Sequence, residues 1–261
     1  MAKPTFIELN DGKATQRIPI LYEDRSALAV DKPAGWMLVP FSWQNTNRNL
    51  MAALTSSIAA GDFWARSRNL KFLRNVHRLD ADTTGILLFA KSMGAVDAYT
   101  ELFEGRRMEK TYLAVVRGTP KQAVWTCSMP LAPDPRQIGK MKADARDGKD
   151  AETHFRVMQT RPGVSEELTL VEARPVTGRT HQIRLHLAAA GHPVLDDTLY
   201  GGAEPKPAAD RRLYRRNQRN VTEPLALRSI YMAYTDPFQK RSVEIHAPVE
   251  EFLKQFGFNP I

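Results

Sequence analysis

The chain has 261 residues, 43% of them hydrophobic and 25% charged, which is length and apolar content enough for a buried core and excludes a disordered chain or a stapled mini-protein. Thirty-seven Lys and Arg against 29 Asp and Glu leave a formal net charge of +8, a balance that suits a polyanionic partner such as nucleic acid. The single cysteine, Cys127, excludes an intrachain disulfide and a cysteine-built metal cluster, and the start Met1 to Asp11 lacks the apolar core of a signal peptide. With no apolar run long enough to cross a bilayer, the expectation is a soluble cytoplasmic protein.

Residues 1–17 read as a polar lead. Ile18 to Asp24 and Ala27 to Lys32 read as two short strands ending in the Pro33-Ala34-Gly35 loop. Asn49 to Ala60 places Leu50, Met51, Leu54 and Ile58 at helical spacing, with Gly61 to stop it. The basic, aromatic stretch Trp64 to Arg74 leads into a polar loop, Asn75 to Gly85, which runs into Ile86-Leu87-Leu88-Phe89-Ala90, read as a fully buried strand. Ala95 to Phe103 is a helix closed by Gly105. Lys110 to Val116 is a strand on which Tyr112 shares a face with Lys110 and Ala114.

Two polar stretches, Asp134 to Asp150 and Ala203 to Asn220, read as exposed loops, the second strongly basic with Arg211, Arg212, Arg215, Arg216 and Arg219. Strands near His154 to Gln159 and Glu167 to Ala173 precede a helix over Arg179 to Ala190, with Gly191 at its end; Leu225 to Tyr234, Val243 to His246 and the amphipathic Val249 to Phe256 complete the chain. Strand clusters with scattered helices and no fixed-period repeat predict an α+β fold with a mixed, largely antiparallel sheet.

Asp80 stands in a loop just before a buried strand, where a rigid element can hold a reactive group at a cleft. The same position also suits an Asp that, like Asp82, only makes turn hydrogen bonds to Thr83, Thr84 and Gly85. On the helix starting at Arg179, spacing puts Ile183, Leu187 and Ala190 on a core face and Thr180, His181 and Arg184 on a neighbouring polar face. Arg184, flanked by apolar residues, calls for a carboxylate, and a bidentate pair with Asp80 would keep that acid ionised and aimed. A surface Arg that snorkels is the alternative. His181 and His186 are five apart and diverge on a helix, so they do not form a metal pair. The glycine-rich nucleotide loops and the serine-hydrolase elbow are absent from the sequence, which favours a reaction without a cofactor.

His77-Arg78-Leu79-Asp80-Ala81-Asp82-Thr83-Thr84-Gly85, Lys110-Thr111-Tyr112 and Gly178-Arg179-Thr180-His181-Gln182-Ile183-Arg184-Leu185-His186 resemble, in order, the motifs of the RluA-type pseudouridine synthases. Asp31-Lys32-Pro33-Ala34-Gly35 and Gly191-His192-Pro193-Val194-Leu195-Asp196-Asp197, continuing to Tyr200-Gly201, match as well, so the resemblance covers about Ile18 to Pro237. The chain departs from the pattern at Thr84, where Ser is usual, at Asp196, where Gly is more typical, and in a longer segment between Gly35 and Asn75. The resemblance implies a single pseudouridine synthase catalytic domain over 18–261 after the lead, as in compact members without an S4 RNA-binding module.

It further implies isomerisation of specific uridines in ribosomal or transfer RNA, by a monomer with no cofactor, metal or obligate protein partner. Asp80 would be the essential acid, Tyr112 would pack on the target base and assist proton removal at C5, and Arg184 would hold Asp80 by a salt bridge. The uridine would be flipped from its stack, with Arg78 filling the vacated space. Lys32, His77, Arg78, Lys110, Arg179, His181, Arg211, Arg212 and Arg215 are the expected RNA contacts, and Arg66, Arg68, Lys71 and Arg74 a further basic grip. Two rivals are a catalytically silent RNA-binding protein and a metal-dependent nuclease using Asp80, Asp82 and Asp197.

Overall fold

A computed structural model describes residues 3–10, 14–38, 48–163, 166–201 and 225–261. Its frame is a mixed sheet in the order β1-β2-β3-β5-β12-β6-β11-β10-β7, with β13 added on β12 and β4 on β5. The strands are β1 (Phe6–Asn10), β2 (Thr15–Glu23), β3 (Ala27–Lys32), β4 (Arg74–Asn75), β5 (Thr84–Ala90), β6 (Glu109–Arg117), β7 (Val124–Ser128), β10 (Glu152–Pro162), β11 (Glu167–Pro175), β12 (Leu227–Thr235) and β13 (Ser242–His246). A separate hairpin pairs β8 (Leu131–Pro133) with β9 (Met141–Ala143). The helices are α1 (Leu50–Ala60), α2 (Phe63–Arg66), α3 (Met93–Glu104), α4 (Gln182–Ala189) and α5 (Glu250–Phe256).

The helix and strand signals in the sequence have local physical causes. Asn49 caps α1 by accepting the Ala52 N–H at 3.1 Å, and Gly61 ends it in the left-handed region. Ser92 likewise caps α3 through the Ala95 N–H. The unbroken apolar run of β5 is explained by burial on both faces: Ile86, Leu88 and Ala90 pack with Ala95, Tyr99 and Leu102 of α3, while Leu87 and Phe89 enter the larger core on the other side.

The lead and the first polar stretch differ from the sequence reading. The lead contains β1, which pairs antiparallel with β2 and buries Ile7 and Leu9; its Ile-Glu-Leu alternation is a strand pattern too short to stand out among polar neighbours. Part of Asp134 to Asp150 is the β8–β9 hairpin. The basic run holding Arg211, Arg212 and Arg215 lies outside the described residues.

Every strand pairing among the described residues is antiparallel except one. That exception, β5 with β12, spans only Arg228 opposite Thr84 and Ser229 opposite Gly85, and it joins the β1-β2-β3-β5 half of the sheet to the β12-β6-β11-β10-β7 half. Gly85 sits there with φ 104°, and a Cβ at this position would lie 2.0 Å from the Ser229 carbonyl oxygen. Only glycine permits so close an approach of two backbones. Beside it, Arg228 grips Asp31 through two hydrogen bonds of 2.9 and 2.7 Å and donates to the Pro248 carbonyl. The seam sets the loop before β5 against β6, so it positions the cleft between the halves. Gly85→Ala should therefore destabilise the protein by about 2–4 kcal/mol in urea unfolding, whereas a loss under about 0.5 kcal/mol would contradict the close approach.

Candidate active site

The cleft is lined by Arg78, Asp80, Lys110, Tyr112, His181 and Arg184 among others, bringing the loop before β5, the strand β6 and the start of α4 to one place. The three residues expected to carry chemistry, Asp80, Tyr112 and Arg184, all face it.

The loop bearing Asp80 is held from beneath. Lys32, at the end of β3, is fully buried and donates from Nζ to the carbonyl oxygens of Ala81 at 2.6 Å, Thr83 at 3.0 Å and Pro33 at 3.1 Å. Three acceptors match the three N–H bonds of an ammonium. Burial pushes the Lys32 pKa down to about 7, against the pull of Asp82 and Asp80. Lys32 is thus not the RNA contact expected from its charge, because its head group is committed to backbone carbonyls. His77 is corrected in the same way. Its Nε2 accepts the Leu88 N–H at 3.0 Å and its ring stacks on Phe103 at 4.9 Å, while burial drives its pKa to about 3 and keeps it neutral. Arg68 is likewise structural, binding Glu23 and the carbonyls of Trp64 and Pro4.

Arg184 makes the salt bridge to Asp80, with a different partition of its donors than the sequence suggests. Nη1 reaches Asp80 Oδ2 at 2.9 Å, a single bond, whereas Nε and Nη2 form the bidentate pair with Asp197 at 2.7 and 2.8 Å. The Asp197 side chain is fully enclosed, and its Oδ1 also accepts the N–H groups of Leu199 and Tyr200. Burial raises the Asp197 pKa, but Arg184 outweighs it and the net shift is downward. Burial also works against the Arg184 charge, and the bond to Asp197 with the field of both carboxylates overcomes it, raising its pKa. Asp197 therefore aims Arg184, and Arg184 holds Asp80. Asp197 is engaged with an arginine instead of standing open beside Asp80 and Asp82, which removes the carboxylate trio of the nuclease reading.

The turn that delivers Arg184 departs from the expected helix. α4 begins at Gln182, because Gln182 Oε1 takes the Arg179 N–H at 3.0 Å and the Thr177 hydroxyl at 2.7 Å, and its amide donates to the Glu152 carbonyl and the Thr153 hydroxyl. Arg179, Thr180 and His181 precede the helix, and His181 is left-handed at φ 54°. Ile183 and Leu187 are buried as expected, but Ala190 is an exposed cap. His186 is a core residue, meeting the Thr153 hydroxyl at 3.0 Å and the Met129 carbonyl at 3.1 Å. Asp196 is left-handed at φ 64°, which explains why glycine is at home in that position.

Tyr112 lies in the middle of β6, and burial pushes its phenol up to about 12, so it stays protonated at neutral pH. Lys110 sits two residues earlier on the same side of the cleft, its pKa lowered to about 8 by burial, with Nζ 3.4 Å from the Thr177 carbonyl. Arg78 is exposed at the mouth, and Arg179 donates from Nε to the Asp150 carbonyl while lining the cleft. His181 Nε2 lies 3.7 Å from Asp80 Oδ2. Sequence reasoning missed Asp197 as the partner of Arg184, and Tyr200, whose hydroxyl meets His181 Nδ1. The signal for both was their place in the Asp197 to Gly201 block.

Removing one partner of a buried pair leaves an uncompensated charge. Asp197→Ala should therefore cost about 3 kcal/mol in chemical denaturation, and a loss below about 1 kcal/mol would show the pair to be dispensable.

Residues 26–189 match the family model described as RNA pseudouridylate synthase. The chain is 36% identical over 203 residues to the uncharacterized RNA pseudouridine synthase YhcT of Bacillus subtilis (strain 168), covering 76% of this chain and 64% of that protein. It is 35% identical over 237 residues to the ribosomal large subunit pseudouridine synthase C of Escherichia coli (strain K12), covering 90% of this chain and 68% of that one. The chain thus spans about two thirds of the length of these relatives. Among solved structures, human RNA pseudouridylate synthase domain containing 1 superposes with a TM-score of 0.64 at 25% identity over 88% of this chain and 83% of that one. Human RNA pseudouridylate synthase domain containing 4 shares the fold, with a TM-score of 0.67 at 20% identity over 91% of each chain. By the match over most of its sheet and by this extent of identity, the chain belongs to the RNA pseudouridylate synthase family, enzymes that isomerise uridine in RNA to pseudouridine.

Proposed function

We propose that this protein converts uridine to pseudouridine in ribosomal RNA, with transfer RNA as the alternative substrate class, and that Asp80 is its essential acid. The observation that carries the reading is Asp80 at the cleft floor, held on Oδ2 by Arg184, with the Tyr112 ring in the same cleft. The kinship with large-subunit synthases makes ribosomal RNA the substrate to test first.

In the reaction the N1 to C1′ bond breaks, the uracil turns, and C5 bonds to C1′. N1 gains a proton and C5 loses one to solvent, so atoms balance with no added reagent. Asp80 either adds to the sugar or ring as nucleophile or takes a 2′ proton to assist glycal formation. Both routes start from the carboxylate, which Arg184 Nη1 grips on Oδ2 at 2.9 Å. Tyr112, apolar in its ring and protonated at its hydroxyl, packs against the flipped base and assists removal of the C5 proton. Arg78 at the mouth takes the place the base leaves, and Lys110 and Arg179 meet the nucleotide and its phosphates. The protein acts as a cytoplasmic monomer; among the described residues no helix is long and apolar enough to cross a membrane.

The test is tritium release from uridine labelled at C5 in unmodified ribosomal and transfer RNA transcripts, with excess EDTA. Wild type should release tritium and Asp80→Asn should not, while RNA binding survives. Release by both proteins would displace Asp80 from the chemistry, and binding without release by wild type would favour the silent RNA-binding reading. Arg184→Met should lose turnover by about 100-fold or more with RNA affinity nearly intact; equal losses in both would make Arg184 a phosphate contact instead.

A further inference from the structure

His181 has a polar neighbour at each ring nitrogen, hydrogen-bonded on one and at longer range on the other, and the proposed function leaves the arrangement unexplained. Its left-handed backbone is costly for a residue with a side chain, and such conformations persist where the surroundings over-determine them. Nδ1 lies 3.0 Å from the Tyr200 hydroxyl, with the two rings edge to face at 5.7 Å. Nε2 faces Asp80 Oδ2 at 3.7 Å.

The Tyr200 hydroxyl has a second partner that orients it. The backbone N–H of Met141, in β9, donates to its oxygen at 2.8 Å. With the oxygen serving as acceptor there, its hydrogen is free to point at His181 Nδ1. A neutral imidazole that accepts on Nδ1 carries its proton on Nε2, the nitrogen turned to Asp80. Burial, the largest influence on this ring, lowers its pKa and keeps it neutral. Tyr200 is itself packed under two cations, with Arg184 5.3 Å and Lys140 5.6 Å from its ring centroid.

We infer that Tyr200 is a positioning residue that locks His181 in the Nε2–H tautomer, so that His181 presents a second N–H beside that of Arg184 to Asp80 Oδ2. At 3.7 Å the contact is longer than a hydrogen bond, and catalytic hydrogen bonds commonly tighten only in the substrate complex. Both groups then converge on one oxygen, steadying the carboxylate and leaving Oδ1 for the chemistry. Because Met141 belongs to the β8–β9 hairpin, the same chain of bonds ties that arm to the acid. The inference rests on the proposed isomerase reading for its kinetic consequence, but the tautomer can be read without activity.

The experiment is Tyr200→Phe, which removes one hydroxyl and keeps the ring. Ring nitrogen chemical shifts from NMR of the free protein report the tautomer, with the His181→Gln spectrum assigning the resonance. The expected result is the Nε2–H form in wild type, a mixture of forms in Tyr200→Phe, and a kcat lower by about tenfold with KM for RNA unchanged, as for one lost hydrogen bond. A wild-type ring protonated on Nδ1, or a tautomer or kcat indifferent to Tyr200→Phe, would overturn the inference. Wild-type protein that turns over no RNA would instead defeat the proposed function, and the ring shifts would still decide the tautomer.

Discussion

The site depends on one buried guanidinium. Arg184 spends two donors on Asp197 and one on Asp80, so a fully enclosed carboxylate fixes its plane while a cleft-facing carboxylate receives the remaining bond. An arginine bound only to Asp80 would be free to swing with it, because a single contact does not define an orientation. The rigid fork geometry of the guanidinium converts the Asp197 pairing into a direction for Asp80. Lysine, a point charge on a flexible stem, could not transmit that direction.

Much of the fold exists to bring this pair together from distant parts of the chain. Asp80 comes from the loop before β5, Tyr112 from β6, and Arg184 from α4, on both sides of the seam where β5 meets β12. Gly85 allows the seam to close, Arg228 and Asp31 clamp it, and Lys32 ties the Asp80 loop to β3. A basic residue immersed in carbonyls and a glycine under a carbonyl are both poor choices for isolated stability. Each is explained by the position it secures, and the cleft is therefore preorganised in the free protein.

That Asp80, Tyr112 and Arg184 share one cleft was legible because each stands in a block of ordered motif residues. Long strands and capped helices were legible from periodicity, as in the β5 run and in the Asn49 and Gly61 ends of α1. Partner choice was not. Whether Arg184 pairs bidentately with Asp80 or Asp197 is decided by three-dimensional distance, and both acids are present in the sequence. Lys32 and His77 were misplaced for a related reason. Charge and polarity announce that a side chain needs partners, but they do not say whether those are RNA phosphates or the protein's own backbone. The start of α4 was misread because the Gln182 side chain captures the preceding backbone, an interaction that apolar spacing does not register.

A double-mutant cycle of Arg184→Lys and Asp197→Asn, read as single-turnover rates on RNA, asks whether Asp197 acts in turnover only by orienting Arg184 on Asp80. If it does, the double variant turns over no more slowly than Arg184→Lys alone, since Asp197 has nothing further to orient once the fork is gone. Losses that add across the two substitutions would contradict it, and would give Asp197 a separate role in the reaction.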